Sequence, residues 1–108
     1  MKEIEGKNAK YFINGGELTV VPLCDIDHHN CIMLKSEADR IIENNNIKNI
    51  VFDFENVGFM DSSGIGVIIG RYKKISYMGG GIIFQKASPA VDRILKMSGL
   101  YKLQKNTK

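Results

Sequence analysis

The sequence has little of several features that would define a class of protein. Its 108 residues include two cysteines, two prolines, two histidines and no tryptophan. No apolar run approaches the roughly 18 residues that a membrane-spanning helix needs, and residues 1–6 are too polar for the hydrophobic region of a signal peptide. We therefore expect a cytoplasmic protein with no membrane association.

The two cysteines and the modest charge narrow the possibilities further. Cys24 and Cys31 form no Cys-x-x-Cys pattern; reduced thiols are expected in a cytosolic protein, and a disulfide between them is the alternative. The net charge of +3 is spread along the chain, without the basic stripe and interleaved aromatics typical of direct nucleic-acid binding. A hydrophobic content of 44% predicts one globular domain over residues 1–108.

The spacing of apolar residues predicts the order β-β-α-β-α-β-α-β. Residues 10–13 and 17–23 are typical of a hairpin joined by Asn14-Gly15-Gly16, although Pro22, which lacks an N–H, predicts a bulge or an unpaired stretch. Strands are also predicted at 49–55, 82–84 and 101–104, and helices at 27–44, 63–78 and 88–98. The predicted buried stripe of the second helix is Ile65, Ile68, Ile69, Tyr72 and Ile75.

Strands that alternate with helices imply right-handed parallel crossovers. We expect an α/β fold: a mixed, mostly parallel sheet of four to five strands with its helices mainly on one face. Functional groups in such sheets collect outside the carboxyl ends of the strands. Two loops should therefore lie side by side there, one over residues 24–30 with Asp25, Asp27, His28 and His29, and one over residues 56–64.

The second loop ends in three residues of the helix-capping type, Asp61-Ser62-Ser63. One cap explains one of them, so three in a row suggest a further role. Gly66 and Gly70 follow within the predicted helix, where each costs about 1 kcal/mol relative to alanine. They continue the row that Ser62 begins at i, i+4 and i+8, and such a ridge admits either a partner's backbone or a neighbouring helix of the same domain.

The motifs of several enzymes are missing from the sequence. Ser62 lacks the first glycine of the Gly-x-Ser-x-Gly elbow of serine hydrolases, and two histidines without a third ligand are too few for a metal site. No phosphate-binding glycine motif occurs. We expect no catalytic residue, no metal and no cofactor, with a small serine hydrolase as the remaining enzymatic alternative.

Residues 59–72, Phe-Met-Asp-Ser-Ser-Gly-Ile-Gly-Val-Ile-Ile-Gly-Arg-Tyr, resemble the core motif of the STAS-domain anti-sigma factor antagonists, above all those of sporulation. Asp-His-His at 27–29, Ser-Pro-Ala-Val at 88–91 and Met-Ser-Gly-Leu at 97–100 add to the likeness, which runs from about Leu18 to Leu103. Cys24-Asp25-Ile26-Asp27 stands where the family often has Gly-Glu-Leu-Asp, and the chain ends at Lys108 without the final helix of many relatives.

The resemblance implies a single STAS domain that works as a switch and is itself no enzyme. The unphosphorylated form would bind a protein that is both anti-sigma factor and serine kinase, and so free the sigma factor. Phosphorylation of Ser62 would end the binding, and a PP2C-type phosphatase would reset it. The expected partner-binding residues are Asp27, Asp61, Ser62, Ser63, Gly66 and Gly70. A STAS module of another stress-signalling assembly or of a transporter is the alternative.

Overall fold

The computed structural model describes residues 1–104 and contains a five-stranded sheet with three α-helices. The strands are β1 (Lys2–Glu5), β2 (Ala9–Asn14), β3 (Glu17–Pro22), β4 (Asn49–Asp53) and β5 (Ile82–Gln85). The helices are α1 (Cys31–Asn44), α2 (Ser62–Ser76) and α3 (Pro89–Met97), and a 3₁₀ helix spans Leu100–Leu103. The predicted α/β fold is confirmed.

The strands lie in the order β1-β2-β3-β4-β5, so the sheet is mixed. β1 pairs antiparallel with β2, and β2 with β3, whereas β3–β4 and β4–β5 are parallel. Gly15, with φ of +63°, allows the two-residue turn that places Asn14 opposite Glu17. The parallel half brings the carboxyl ends of β3 and β4 to the same edge.

One face of the sheet carries the core. Tyr11, Val20, Phe52 and Phe84 form a row across β2 to β5 and are all buried. The helices pack on this face, where the hydroxyl of Tyr11 donates a 2.7 Å hydrogen bond to Glu37 of α1. The helices supply the other side of the core with Leu34, Ala38, Ile41, Ile68, Ile75, Val91 and Leu95. Because side chains alternate between the two faces of a strand, the alternation of apolar residues along these strands places one apolar set on the face that the helices cover.

Two predictions about strands were wrong. β1 was missed because only Ile4 among its four residues is apolar, so this edge strand depends on backbone pairing with β2 and carries no periodic signal. Residues 101–104 are mainly 3₁₀ helix, and only Gln104 forms a bridge, with Ile82. Gly99, with φ of +80°, turns the chain there, and the amides of Lys102 and Gln104 donate to the carbonyls of Gly99 and Tyr101, which are the hydrogen bonds of a 3₁₀ helix.

Pro22 is compatible with an in-register strand pair. It ends β3 opposite Ala9 of β2, and no bulge interrupts that pairing. On the other side the ladder to β4 has already ended at Val20, so the missing N–H of proline leaves no donor unpaired. The predicted bulge is therefore absent, whereas the predicted unpaired stretch exists on the β4 side.

The helices differ from their predicted faces and ends in two places. α1 begins at Cys31, because residues 27–30 form a turn in front of it. In α2, Ile68 and Ile75 are buried as predicted. The other three residues of the predicted stripe, Ile65, Ile69 and Tyr72, are only half-buried. Val67 and Arg71 are buried instead. The reason is α1, which packs against α2 and pairs Asp39 with Arg71.

The sulfur and membrane predictions can also be compared with the structure. Cys24 and Cys31 are both free thiols, so the disulfide alternative is not formed. Within residues 1–104, no helix has both the length and the apolar character needed to cross a membrane.

Candidate functional site

The two loops at the carboxyl ends of β3 and β4 are joined by backbone hydrogen bonds. The amide of Ile26 donates to the carbonyl of Phe59 at 3.1 Å, and the amide of Asp61 donates to the carbonyl of Ile26 at 3.1 Å. These bonds form a short parallel bridge between Ile26 and Met60. The prediction that the loops lie side by side is confirmed.

Asp25 strengthens this junction with its side chain. Its Oδ1 accepts hydrogen bonds from the amides of Gly58 at 2.8 Å and Phe59 at 3.1 Å. Without Asp25 these two backbone N–H groups would have only water as an acceptor, so the carboxylate fixes the position of the second loop. Sequence reasoning counted Asp25 only as an additional acid, since nothing in a single sequence tells which amides a carboxylate will meet.

Ser62 is the first residue of α2 and is exposed. The helix is capped by Asp61, whose Oδ1 accepts from the amide of Ser63 at 2.8 Å. Within residues 1–104 the hydroxyl of Ser62 makes no hydrogen bond. One residue of the Asp61-Ser62-Ser63 run therefore serves as the cap, and the hydroxyl beside it is exposed to solvent.

Asp27 organises the turn before α1. Its Oδ1 accepts from the amides of His29 at 2.9 Å and Asn30 at 3.1 Å. The bond from Asn30 is the main reason that the pKa of Asp27 lies below its usual range, because these donors stabilise the carboxylate form. Since Ile26 is bonded to Asp61, the Asp27 backbone lies close to the cap of α2, as a shared site requires.

The histidines do not complete a hydrolase site. His28 and His29 are exposed and contact each other edge to face, with ring centroids 5.8 Å apart. Neither ring is hydrogen-bonded to Ser62, which a serine nucleophile would need from its base. No cluster of three or more metal-ligating side chains occurs in the part of the chain that the structure describes.

Gly66 and Gly70 form an open ridge on α2. Apart from the backbone of α2 itself, a Cβ atom added at either position would meet no heavy atom within 4 Å, so no neighbouring helix among residues 1–104 fills the ridge. The two glycines, together with Ser63, line a groove of about 420 Å³ between α1 and α2. Of the two occupants left open by the sequence, a helix of the same domain is therefore excluded.

A second groove, between α2 and α3, has apolar walls and Ser62 at its rim. It encloses about 480 Å³ and is lined by Phe59, Ile65, Ile94 and Met97. Phe59 is 53% exposed and Met97 81%, and Ile32 beside the first groove is 68% exposed. Exposed apolar side chains that cluster in this way are typical of protein-binding surfaces. Sequence reasoning missed Phe59 and Met97, because an isolated apolar residue carries no sign of its exposure.

Comparison with known proteins agrees with this architecture. The model of the STAS domain family matches residues 13–108. The anti-sigma F factor antagonist of Paenibacillus polymyxa is 43% identical over 79 residues, which are 73% of this chain and 68% of that protein. The chain belongs to the STAS domain family, and within it to the anti-sigma factor antagonists.

Solved structures with the same fold include two forms of SpoIIAA. The anti-sigma factor antagonist SpoIIAA in its unphosphorylated form superposes with a TM-score of 0.81 at 24% identity, over 93% of this chain and 88% of that one. SpoIIAA of Bacillus in its phosphorylated form gives a TM-score of 0.72 at 23% identity, over 93% and 91% of the two chains.

Proposed function

We propose that this protein is a phosphorylation-controlled antagonist of an anti-sigma factor that is also a serine kinase. The unphosphorylated form binds that kinase in the cytoplasm and frees the sigma factor. The kinase phosphorylates Ser62, which ends the binding, and a PP2C-type phosphatase restores the active form. The observation that carries the proposal is the exposed, unbonded hydroxyl of Ser62 at the start of a helix that Asp61 already caps.

The docking surface of the proposal surrounds Ser62. It comprises the six residues expected from the sequence, Asp27, Asp61, Ser62, Ser63, Gly66 and Gly70. The open glycine ridge supports it, since a partner helix can approach α2 closely where side chains are missing. The exposed side chains of Phe59 and Met97 add apolar area on the other side of Ser62.

A phosphate on Ser62 would oppose docking while leaving the fold intact. Phosphoserine carries a charge of about −1.5 to −2 near neutral pH. The start of a helix stabilises a negative charge by about 0.3–1 kcal/mol. At an interface that charge must be desolvated beside Asp61 and Asp27, at a cost of several kcal/mol. About 5.5 kcal/mol is enough to turn 99% bound into 1% bound.

Phosphorylation can be tested with a defined kinase candidate. The purified protein is incubated with Mg-ATP and the anti-sigma F factor of Paenibacillus polymyxa, and the peptide that contains Ser62 is sequenced by mass spectrometry. We expect one phosphoryl group, on Ser62. The matched controls are Ser62→Ala, which should remain unmodified, and Ser63→Ala, which should still be modified. Phosphate on Ser63, or none on either serine, would contradict the proposal.

Binding provides the second readout. Ser62→Ala should bind the anti-sigma factor as the unmodified protein does, because the hydroxyl makes no hydrogen bond within residues 1–104. Ser62→Asp adds a charge at the same place and should bind at least about tenfold more weakly, a difference of 1.4 kcal/mol. Equal affinities of the two variants, measured by calorimetry, would mean that the charge at residue 62 does not control binding, which would contradict the proposal.

A further inference from the structure

β1 leaves one edge of the sheet open. It is the first strand in the order β1-β2-β3-β4-β5, and within residues 1–104 no strand pairs with its outer side. Three of its four residues, Lys2, Glu3 and Glu5, are exposed. An edge strand presents a row of N–H and C=O groups without partners, so β1 can accept a further strand from another chain.

A cavity next to this edge is placed to receive a side chain from such a strand. It encloses about 350 Å³ between β1 and α1, and its apolar walls include Ile4, Tyr11 and Ile41. Ile4 lies opposite Tyr11 in the pairing of β1 with β2, so both side chains point to the face that the helices cover. A residue that pairs with Ile4 from the outer side points to the same face and therefore enters the cavity.

Glu37 of α1 holds the cavity in shape. Its Oε1 accepts from the hydroxyl of Tyr11 at 2.7 Å, and its Oε2 accepts from the amide of Lys7 at 2.9 Å. One carboxylate thus fixes both β2 and the turn between β1 and β2. Gly6 in that turn is packed so closely that an added Cβ would lie 2.8 Å from Cε2 of Tyr11 and would collide with Glu37. A site that is already formed loses less entropy when a ligand binds.

The opposite face of β1 is acidic. Glu3 and Glu5 alternate with Ile4 and so point away from the helices. Both are exposed, and neither forms an ion pair within residues 1–104. Opposite charges on neighbouring strands stabilise a sheet, and like charges destabilise it. The two carboxylates therefore favour a strand that has lysine or arginine at alternate positions.

A second copy of this chain does not meet that requirement. Two copies of β1 related by a two-fold axis would pair antiparallel, with their helices on the same side of the joint sheet. Every register that pairs three residues of β1 then places Glu3 opposite either Glu3 or Glu5 of the other copy. The charge pattern of β1 thus disfavours self-association and favours a different, basic chain.

We propose that the free edge of β1 binds an extended segment of a partner protein in which two basic residues flank one apolar residue. The basic side chains face Glu3 and Glu5, and the apolar side chain between them enters the cavity beside Ile4. Hydrogen bonds between the two backbones supply the affinity, and these side chains supply the specificity. This interaction is independent of the proposed function, because β1 lies two strands away from β3, whose carboxyl end adjoins Ser62.

Two synthetic peptides of equal composition, both with blocked ends, test the proposal. Lys-Ile-Lys-Val-Lys has the required alternation, whereas Lys-Lys-Lys-Val-Ile has the same charge and no apolar residue between two lysines. In a titration followed by amide NMR, the alternating peptide should bind at least about tenfold more tightly and should slow hydrogen exchange in residues 2–5. Equal affinities, or no binding at millimolar peptide, would overturn the proposal.

Charge reversal on the open face provides a second test. Glu3→Lys should weaken binding of the alternating peptide about tenfold at low salt, and the loss should shrink as salt screens the charges. The matched control is Glu17→Lys, which reverses an exposed glutamate at the start of β3. Neither glutamate has an ion pair to lose within residues 1–104. Equal effects of the two reversals would overturn the proposal.

Two further measurements distinguish this edge from other sites and occupants. Sedimentation should show a monomer, and a dimer with protected amides in residues 2–5 would mean that the edge takes a second copy instead. Ser62→Asp should leave the affinity for the alternating peptide unchanged. If that variant abolished binding, the peptide would lie at the surface around Ser62, and this inference would fail while the proposed function stood.

Discussion

Replacing the ridge glycines with alanine should stabilise the protein. Gly66 and Gly70 lie inside α2, where glycine costs about 0.8–1 kcal/mol relative to alanine, and an added Cβ meets nothing within 4 Å at either position. Because no contact is lost, the double variant Gly66→Ala with Gly70→Ala should gain about 1–2 kcal/mol. For a domain of this size that raises Tm by about 5–10 °C.

Calorimetry or thermal circular dichroism measures this gain, and Gly64 provides the matched control. A Cβ at Gly64 would lie 2.9 Å from Cγ2 of Ile26 and would also press on Met60. Gly64→Ala in the same helix should therefore lower stability, by about 1–3 kcal/mol as in other overpacked cores. A Tm that falls for Gly66→Ala, or rises for Gly64→Ala, would refute the claim that α2 has room for a side chain at Gly66 and none at Gly64.

The same ridge should respond in the opposite sense when a partner is present. Gly66→Leu fills the space that a partner helix needs, so affinity for the anti-sigma factor should fall at least about tenfold, while Tm should not fall. A loss of binding without a loss of stability distinguishes a docking surface from a packing site. If both fall together, the ridge is packed within the protein in solution.

Further predictions concern the helix cap, the loop junction and the pH dependence. Asp61→Ala should lower the free energy of unfolding in urea by about 1 kcal/mol, whereas Ser62→Ala should change it by less than about 0.5 kcal/mol. Asp25→Ala should speed hydrogen exchange of the two amides that Asp25 binds, and Asp25→Asn, which keeps an acceptor oxygen, should speed it less. Burial and a hydrogen bond to Asp92 raise the pKa of Tyr101 from 10.0 to about 12. The stability that this bond contributes is complete below pH 10 and is lost as the pH rises towards 12, and Tyr101→Phe should remove that loss.

The periodic parts of the fold were predictable from the sequence. β4 and the start of α2 were found because their apolar residues alternate or recur at helical spacing, which directly reports which side faces the core. The position of Ser62 at a helix start followed from the capping preference of its neighbours. The meeting of the two loops followed from the parallel order of β3 and β4, since parallel strands end at the same edge.

The polar contacts were not predictable in the same way. Arg71 was not part of the predicted buried stripe of α2, and its burial is explained by the position of Asp39 on a different helix. Asp25 and Asp27 look alike in the sequence, yet one binds amides of the other loop and the other binds amides of its own turn. Such pairings depend on the final placement of separate elements, and no local pattern encodes them.

On the proposed function, the separation of the helix cap at Asp61 from the hydroxyl of Ser62 would explain how the switch stays reversible. If Ser62 were the cap, a phosphate on its oxygen would replace the acceptor that ends α2, and the modified protein would differ in fold as well as in charge. Because Asp61 accepts from the amide of Ser63 and Asp25 accepts from the neighbouring loop, phosphorylation of Ser62 would break neither contact and would change only the surface potential. On the proposed function, the kinase and the phosphatase would then act on the same backbone conformation. Amide chemical-shift changes on phosphorylation should therefore be confined to the start of α2 and the β3–α1 loop.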